Sequence, residues 1–323
     1  MKFSTPVVPT KPPFQIEYGQ KLISIGSCFS ENIGQYFQKF KFDIVINPFG
    51  QQYNPSSIAY ALERIIENRP YTAPELFQHN EQFHSFDHHS DYSRPTEEET
   101  LSTINENLAA AHRQLKQADV LFLTFGTAHI FQLPENGRTV SNCHKMPAKR
   151  FNKRMLSVDE ITETIDGAIA KLKAINKDIK IVLTVSPVRY FAFGIEENTL
   201  SKSLLFVAIQ QLKQSMPELY YFPAYEIVMD ELRDYRYFAE DMLHPNYQTT
   251  NYVWEVLQNT LIERQTRQVM TEVEEIISAA NHRPRNPNSD AHRAFQEKYL
   301  NKILKFKQDY PEFDFEKEIL SLG

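Results

Sequence analysis

The chain has 323 residues, of which 41% are hydrophobic and 24% are charged, and its formal net charge is -6. Scarce glycine and an ordinary charge content exclude collagen-like, repeat and disordered proteins, and the length favours one large domain. The composition also argues against nucleic acid as a partner and against a membrane span, because it has neither a basic excess nor a run of ~20 apolar residues.

Short apolar runs alternate with segments of helical periodicity along most of the chain. The proline-rich residues 1–20 predict an extended arm. The apolar runs predict five strands, at 21–25, 43–46, 119–125, 180–185 and 219–222. The periodic segments predict helices at 27–40, 55–66, 97–116, 157–174, 200–216 and 246–262. Residues 70–95, which are polar and rich in histidine, predict an irregular excursion or a small hairpin.

Strands that are apolar throughout and alternate with helices are typical of a parallel sheet covered on both faces. We therefore expect a three-layer α/β/α fold with a mostly parallel five-stranded sheet over residues 1–262. From residue 263 to 323 the pattern is purely helical, and this extension either packs on the domain or mediates a homodimer. In such sheets ligands bind at the carboxyl ends of the strands.

The first strand leads into the segment ISIGSCFSENIG at 23–34, which places a cysteine at the start of a helix. Gly26 permits a tight turn, Ser27 can cap the helix, and Cys28 lies in the first helical turn. Free N–H groups and the helix dipole stabilise a thiolate there, which suits a nucleophile. Two alternatives stay open: Cys28 is a small buried hydrophobe, or Ser27 is the nucleophile.

The segment AEDMLHPN at 239–246 places Asp241 three positions before His244 and ahead of a predicted helix. This spacing lets the carboxylate orient one imidazole nitrogen while the other nitrogen faces a nucleophile. A helix-capping aspartate beside a surface histidine is the alternative. Because the segment follows the last predicted strand, we interpret the two residues as a general base and its orienting group.

Six motifs occur in order along the chain: GSCF, NPFGxxYNP, NCHK, SPVR, FPAYE and DxxHP. Together they resemble the GSCFA family, which is grouped with the SGNH and GDSL-like hydrolases, over about residues 1–260. The resemblance implies an SGNH-hydrolase-like fold with Cys28 in the place of the usual nucleophilic serine. It also implies that Asp241 and His244 are the Asp–His pair found near the end of such domains. Gly50 would donate an N–H to the oxyanion.

One departure from the hydrolase pattern concerns the oxyanion hole. The block that usually carries an asparagine aligns with GTAH at 126–129, so this donor is missing. Its loss costs a few kcal/mol of transition-state stabilisation unless another donor substitutes. The candidates to substitute are Asn54, Asn142 and His144. We also expect the NCHK motif, including Lys145, to line the substrate pocket.

Arg189 in the SPVR motif directly follows a predicted strand. It either clamps a carboxylate or phosphate of a substrate or forms a structural ion pair with Glu226 or Asp230. The more apolar sequence that follows it puts polar substrate contacts from this loop in doubt.

These residues indicate a hydrolase or acyltransferase that acts on a small acyl ester or an acylated carbohydrate. The missing asparagine favours an alternative, a non-catalytic module that binds a small ligand or carbohydrate. A zinc enzyme using Cys28, Cys143, His144 and His244 is a third hypothesis, but the spacing typical of zinc ligands is absent, so we expect no metal. Without a glycine-rich phosphate loop we expect no nucleotide cofactor. Two cysteines and no signal-peptide pattern favour the cytoplasm.

Overall fold

The computed structural model describes residues 4–323, so the first three residues of the predicted arm lie outside it. The strands are β1 Lys21–Gly26, β2 Asp43–Ile46, β3 Leu76–His79, β4 Gln82–Ser85, β5 Val120–Phe125, β6 His129–Gln132, β7 Thr139–Val140, β8 Asn152–Met155, β9 Lys180–Val185 and β10 Tyr220–Tyr221. The helices are α1 Cys28–Lys39, α2 Pro55–Glu67, α3 Glu97–Gln117, α4 Val158–Ile175, α5 Ile195–Ser215, α6 Ala224–Glu226, α7 Tyr247–Leu261, α8 Arg264–Ala280, α9 Asp290–Asp309 and α10 Glu316–Leu322.

Five strands form the central sheet, in the order β10-β9-β5-β1-β2. All four neighbouring pairs are parallel. The predicted parallel sheet is therefore confirmed, and each of its strands begins and ends within one residue of the predicted bounds.

Successive residues of the central strands enter two different hydrophobic clusters. Leu22 and Phe122 pack with residues of α1 and α7, whereas Ile23 and Leu121 pack with residues of α2, α3, α4 and α5. Because side chains alternate along a strand, the two clusters lie on opposite faces of the sheet. The fold is the expected three-layer α/β/α arrangement.

The C-terminal helices pack on the domain. Buried residues of α8 and α9, including Val273, Ile303 and Phe306, belong to the same hydrophobic cluster as α1 and α7. Lys41 and Glu318 add an ion pair of 2.8 Å between the α1–β2 connection and α10. The division of the chain at residue 262 and the homodimer stay predictions. No helix within residues 4–323 is long and apolar enough to cross a bilayer.

Two small antiparallel sheets lie outside the central sheet. The excursion at 70–95 contains the hairpin of β3 and β4, one of its two expected forms. A second sheet, in the order β7-β6-β8, was not predicted. Its strands are short, and β8, with the sequence NKRM, is mostly exposed and has no apolar pattern.

Candidate functional site

A cavity of about 480 Å³ lies at the carboxyl end of the central sheet. Ser27, Gly126 and Ser186, which follow β1, β5 and β9, contribute to its lining. This is the edge at which parallel sheets bind ligands. Cys28 and His244 both line the cavity, so the fold brings the front and the end of the domain together at one cleft.

Cys28 is the first residue of α1 and is half-buried. Burial raises the pKa of its thiol, while the N–H groups of Phe29 and Cys28 and the charge of Lys202 lower it and Glu31 raises it. The net direction is upward, so the thiol is protonated at neutral pH. The N–H groups at the helix start favour the thiolate in the expected direction, but desolvation outweighs them.

Gly26 and Ser27 join β1 to α1. A Cβ atom at Gly26 would lie 2.5 Å from the carbonyl oxygen of Thr124, so close packing of β1 on β5 requires the glycine. Ser27 is the N-cap residue, but its hydroxyl is buried and makes no capping hydrogen bond. Ser27 therefore occupies the predicted N-cap position, but its side chain does not cap the helix. Its enclosed hydroxyl also makes it a poorer nucleophile candidate than the half-buried Cys28.

Asp241 and His244 form a hydrogen-bonded pair. Nδ1 of His244 lies 2.6 Å from Oδ2 of Asp241, and Oδ1 of Asp241 accepts the N–H groups of Leu243 and His244 at 2.8 and 3.0 Å. These backbone bonds, together with His244, lower the pKa of Asp241 to about 2. Nε2 of His244 forms no hydrogen bond within residues 4–323 and is available to the cavity. Asn246, not Asp241, caps α7.

The loop that carries this pair is anchored by Arg189. The Arg189 N–H donates to the carbonyl of Leu243 at 3.2 Å, and its guanidinium donates to the carbonyl of Met242. Arg189 also lines the cavity. It forms no ion pair with Glu226 or Asp230, so that structural alternative is wrong. Its visible role is to hold the histidine loop against the end of β9.

Two predicted oxyanion donors lie between β2 and α2. Gly50 has a φ of 73° and donates its N–H to the carbonyl of Asn47 at 2.7 Å. Its predicted role as an oxyanion donor is wrong, because this N–H closes a turn and Gly50 does not line the cavity. Asn54 lines the cavity and caps α2 through Oδ1, which accepts the N–H of Ser57 at 2.8 Å. Its Nδ2 forms no hydrogen bond within residues 4–323 and is available as a donor.

The GTAH segment holds the Asn54 loop in place. The N–H groups of Gly126 and Thr127 both donate to the carbonyl of Tyr53, at 2.8 and 2.9 Å. These bonds fix the residue immediately before Asn54. They also occupy both N–H groups, so the backbone of Gly126 and Thr127 positions another donor and is not itself available to an oxyanion.

The NCHK motif is divided between the cavity and the protein interior. Asn142 and Cys143 line the cavity. His144 is buried and its Nε2 lies 2.8 Å from the carbonyl oxygen of Ser85, while Lys145 is exposed. The pocket roles predicted for His144 and Lys145 are wrong, because a turn with positive φ at both residues separates them from the cavity.

Two ionisable residues beside the cavity were missed by the sequence analysis. His129 lines the cavity, and burial followed by the charge of Lys153 lowers its pKa. Lys202 lies below the cavity, where its Nζ donates to the carbonyls of Gly126 at 2.7 Å and Ser186 at 2.6 Å.

A signal for Lys202 was present in the sequence. It falls at helical spacing on the apolar face of α5, where a charged residue needs an explanation. The buried residues of that face are Asn198, Ser201, Lys202, Leu205, Ala208, Ile209 and Leu212.

The proposed zinc ligands are not assembled. Cys28, Cys143 and His244 line the cavity, but His144 does not. Within residues 4–323 no group of three or more His, Cys, Asp or Glu side chains has the arrangement that could hold a metal ion.

The fold and the cavity define an α/β/α protein with a Cys, a His and an Asp at the carboxyl edge of a parallel sheet. The chain belongs to the GSCFA family, whose model matches residues 21–257. The model of the GSCFA domain protein C-terminal domain matches residues 273–323. Comparison with curated proteins finds no match.

Several solved structures are similar in outline. The family 3 carbohydrate esterase of Clostridium thermocellum is 12% identical with a TM-score of 0.34, covering 78% of this chain and 98% of that chain. An acetyl xylan esterase from the rumen bacterium Butyrivibrio proteoclasticus is 12% identical with a TM-score of 0.37, covering 75% of this chain and 64% of that chain. The periplasmic domain of a lipopolysaccharide acetyltransferase from Salmonella ser. Paratyphi A is 14% identical with a TM-score of 0.36, covering 76% of this chain and 84% of that chain. Such low scores assign neither a substrate nor a reaction.

Proposed function

We propose that the protein is an acyl hydrolase or acyltransferase in which Cys28 is the nucleophile, His244 the general base and Asp241 the group that orients it. One observation carries the proposal. Cys28, at the start of α1, lines the same cavity as His244, whose Nδ1 is held 2.6 Å from Asp241. A nucleophile, a base and an orienting carboxylate are the groups that acyl transfer through a covalent intermediate requires.

The reaction starts from the protonated thiol, because burial raises the pKa of Cys28. Nε2 of His244 takes the thiol proton as the sulfur attacks the acyl carbonyl, and the carbonyl oxygen becomes an oxyanion. The intermediate expels the alcohol, which takes the proton from His244, and a thioester is left on Cys28. Water or an acceptor hydroxyl then gives its proton to His244 and attacks the thioester, and His244 returns that proton to the departing sulfur.

Two donors are suited to the oxyanion. The N–H of Cys28 lies at the N-terminus of α1, where backbone N–H groups have no partner within the helix. The Nδ2 of Asn54 is a side-chain donor in the same cavity. Asn54 thereby takes the role of the asparagine missing from the GTAH segment, and Asn142 is the second candidate.

The cavity walls favour an uncharged, partly apolar substrate. Phe131, Val140, Val188 and Leu243 contribute apolar surface, and Tyr53 contributes an aromatic side chain. A volume of about 480 Å³ is within the range of small-molecule sites. We propose a small acyl ester as the substrate, including an acyl group on a single sugar.

Replacing Cys28 with Ala tests the proposal, and Cys143→Ala is the matched control because both thiols line one cavity. With short-chain acyl esters and thioesters, we expect Cys28→Ala to lower turnover by a factor on the order of 10³ or more. Cys143→Ala should retain activity. Mass spectrometry of quenched wild-type enzyme should find the acyl group on Cys28. Undiminished turnover in Cys28→Ala would remove the proposed nucleophile.

The alternative is a non-catalytic binding module, and the occupied N–H groups of Gly126 and Thr127 are the observation that favours it. On this hypothesis no ester acylates Cys28. Ligands would then raise the melting temperature of the wild type and of Cys28→Ala by the same amount, with no release of alcohol.

A further inference from the structure

A buried histidine at the start of β6 has a ring without a hydrogen-bond partner. His129 is 3% exposed and lines the cavity. Neither Nδ1 nor Nε2 forms a hydrogen bond in the part of the chain that the structure describes. Buried polar groups left in this way are rare in folded proteins, because each has given up its hydrogen bonds to water. The ring of His129 therefore suits a polar partner that enters the cavity.

The alternation of side chains along β6 directs this ring toward the cavity. His129 and Phe131 lie on the same face of the strand, and both line the cavity. Ile130, which lies between them, enters the hydrophobic core instead. Val140, the register partner of Phe131 on β7, also lines the cavity. One face of the small sheet is thus a cavity wall, and His129 is the residue of β6 that brings hydrogen-bonding atoms to it.

Opposite charges flank the ring of His129 and favour an uncharged partner. Nε2 lies 3.5 Å from a carboxylate oxygen of Glu197 on α5, at the limit of hydrogen-bond distance. Nζ of Lys153 lies 3.3 Å from the ring centroid of Phe193, and that ring lies 4.8 Å from the ring of His129. The carboxylate repels an anion, and the ammonium repels a cation.

The chemistry of the ring narrows the uncharged partner to a hydroxyl group. Burial, followed by the charge of Lys153, lowers the pKa of His129, although Glu197 opposes this, so the ring is neutral at pH 7. A neutral imidazole has one N–H donor and one lone pair. A hydroxyl group can accept from the donor or donate to the lone pair, so it matches either tautomer, whereas a carbonyl oxygen can only accept.

We propose that His129 binds a hydroxyl group on the alcohol portion of the ester and selects hydroxylated alcohols over alkyl alcohols. The inference rests on the proposed function and names the class of alcohol that its substrate carries. Simple acyl groups contain no hydroxyl, so the alcohol supplies it. Phe131 and Tyr190 line the same cavity and offer apolar surface to the carbon skeleton of that alcohol. An alkyl ester of the same size leaves His129 without a partner, which is the basis of the selection.

Two isosteric pairs of esters measure the selection: 2-hydroxyethyl acetate against propyl acetate, and 3-hydroxypropyl acetate against butyl acetate. In the wild type we expect kcat/KM for at least one hydroxylated ester to exceed that for its alkyl partner about tenfold. His129→Phe keeps an aromatic ring but removes both nitrogens, so it should bring this ratio to about one. His129→Gln, which restores a donor and an acceptor, should recover part of the ratio.

Phe131→Leu is the matched control, because it changes the same face of β6 without removing a hydrogen-bonding group. It should affect both esters of a pair alike and leave the ratio as in the wild type. A wild type that hydrolyses the esters without preference, or an unchanged ratio in His129→Phe, overturns the inference.

A binding measurement separates this inference from the proposed reaction and covers the case in which His129→Phe does not fold. In full-length Cys28→Ala with ¹⁵N-labelled histidine, the ring signals of His129 are those absent from His129→Gln. At least one hydroxylated ester should shift these signals more than its alkyl partner does, because only the hydroxyl bonds to the ring. Equal shifts within both pairs overturn the inference. A wild type that hydrolyses none of the esters refutes the proposed function alone, because the shifts are measured without turnover.

Discussion

Cys28 and Cys143 line the same cavity but have different surroundings. Burial raises the pKa of the Cys143 thiol to about 11. Burial raises the pKa of Cys28 as well, but helix N–H groups and the charge of Lys202 oppose it. Cys28 is therefore the thiol whose surroundings include groups that favour the thiolate, which a nucleophile must form during the reaction.

Asp241→Asn tests the orienting carboxylate. The amide keeps an oxygen for the N–H groups of Leu243 and His244 but loses the charge facing Nδ1. Because the pKa of Asp241 is held at about 2, the carboxylate is ionised at all working pH values. Loss of its charge should therefore lower the rate at every pH tested. We expect kcat for a short acyl ester to fall by a factor of about 10²–10⁴ with little change in melting temperature. A kcat within about threefold of the wild type would contradict the assignment.

The β3–β4 hairpin encloses histidines that belong to the interior and not to the cavity. The rings of His84 and His144 lie 4.5 Å apart, and the ring of His88 stacks on Phe49 at 4.3 Å. Burial lowers the pKa of His144 to about 4 and that of His88 well below its usual value. The packing of this element therefore depends on neutral imidazoles.

This hairpin should make the protein sensitive to acid. The pKa of His144 is lower in the folded protein than in the unfolded chain, so the unfolded chain binds a proton more readily. The contribution of the neutral His144 to stability is therefore complete above pH 6.5 and is lost as the pH falls towards about 4. The His144 shift alone corresponds to a fall of up to ~3 kcal/mol in the free energy of unfolding. Urea unfolding at neutral and acid pH measures it. His144→Asn, which tolerates the positive φ, should show a smaller difference between the two conditions, and an undiminished difference would contradict this role.

The C-terminal helices close one face of the whole molecule. Phe306, Phe313 and Phe315 are buried in the same cluster as Phe37 and Trp254 of α1 and α7. Two parts of a chain that share a core unfold together, because unfolding of either part exposes the apolar surface of the other to water.

Ending the chain at residue 262 removes α8, α9 and α10 and exposes the apolar surface that they cover. We expect one cooperative unfolding transition for the full chain, followed by both fluorescence and circular dichroism. The truncated chain should be less stable and should bind the dye ANS. Two separate transitions, or a truncated chain as stable as the full one, would contradict the shared core. The predicted homodimer is tested independently by sedimentation of the full chain.

The strands of the central sheet and most helix positions were predictable from the sequence alone. A strand buried on both faces needs apolar side chains at every position, and DVLFLTF and KIVLTV carry that pattern locally. The helix start at Cys28 and the Asp241–His244 spacing were also visible, because they depend on residues close together in the chain. The sheet of β6, β7 and β8 was missed because its exposed strand has no apolar pattern.

Only the tertiary structure decided which residues reach the cavity. Gly50 and Asn54 belong to one motif, yet a turn uses the N–H of Gly50 while hydrogen bonds from the loop after β5 hold Asn54 in place. Asn142 and His144 are separated in the same way by the backbone turn that follows Asn142. Lys202 reaches the carbonyls of Gly126 and Ser186 only when α5 packs behind the strand ends. These placements depend on backbone contacts between distant segments, and no local pattern of side chains encodes them.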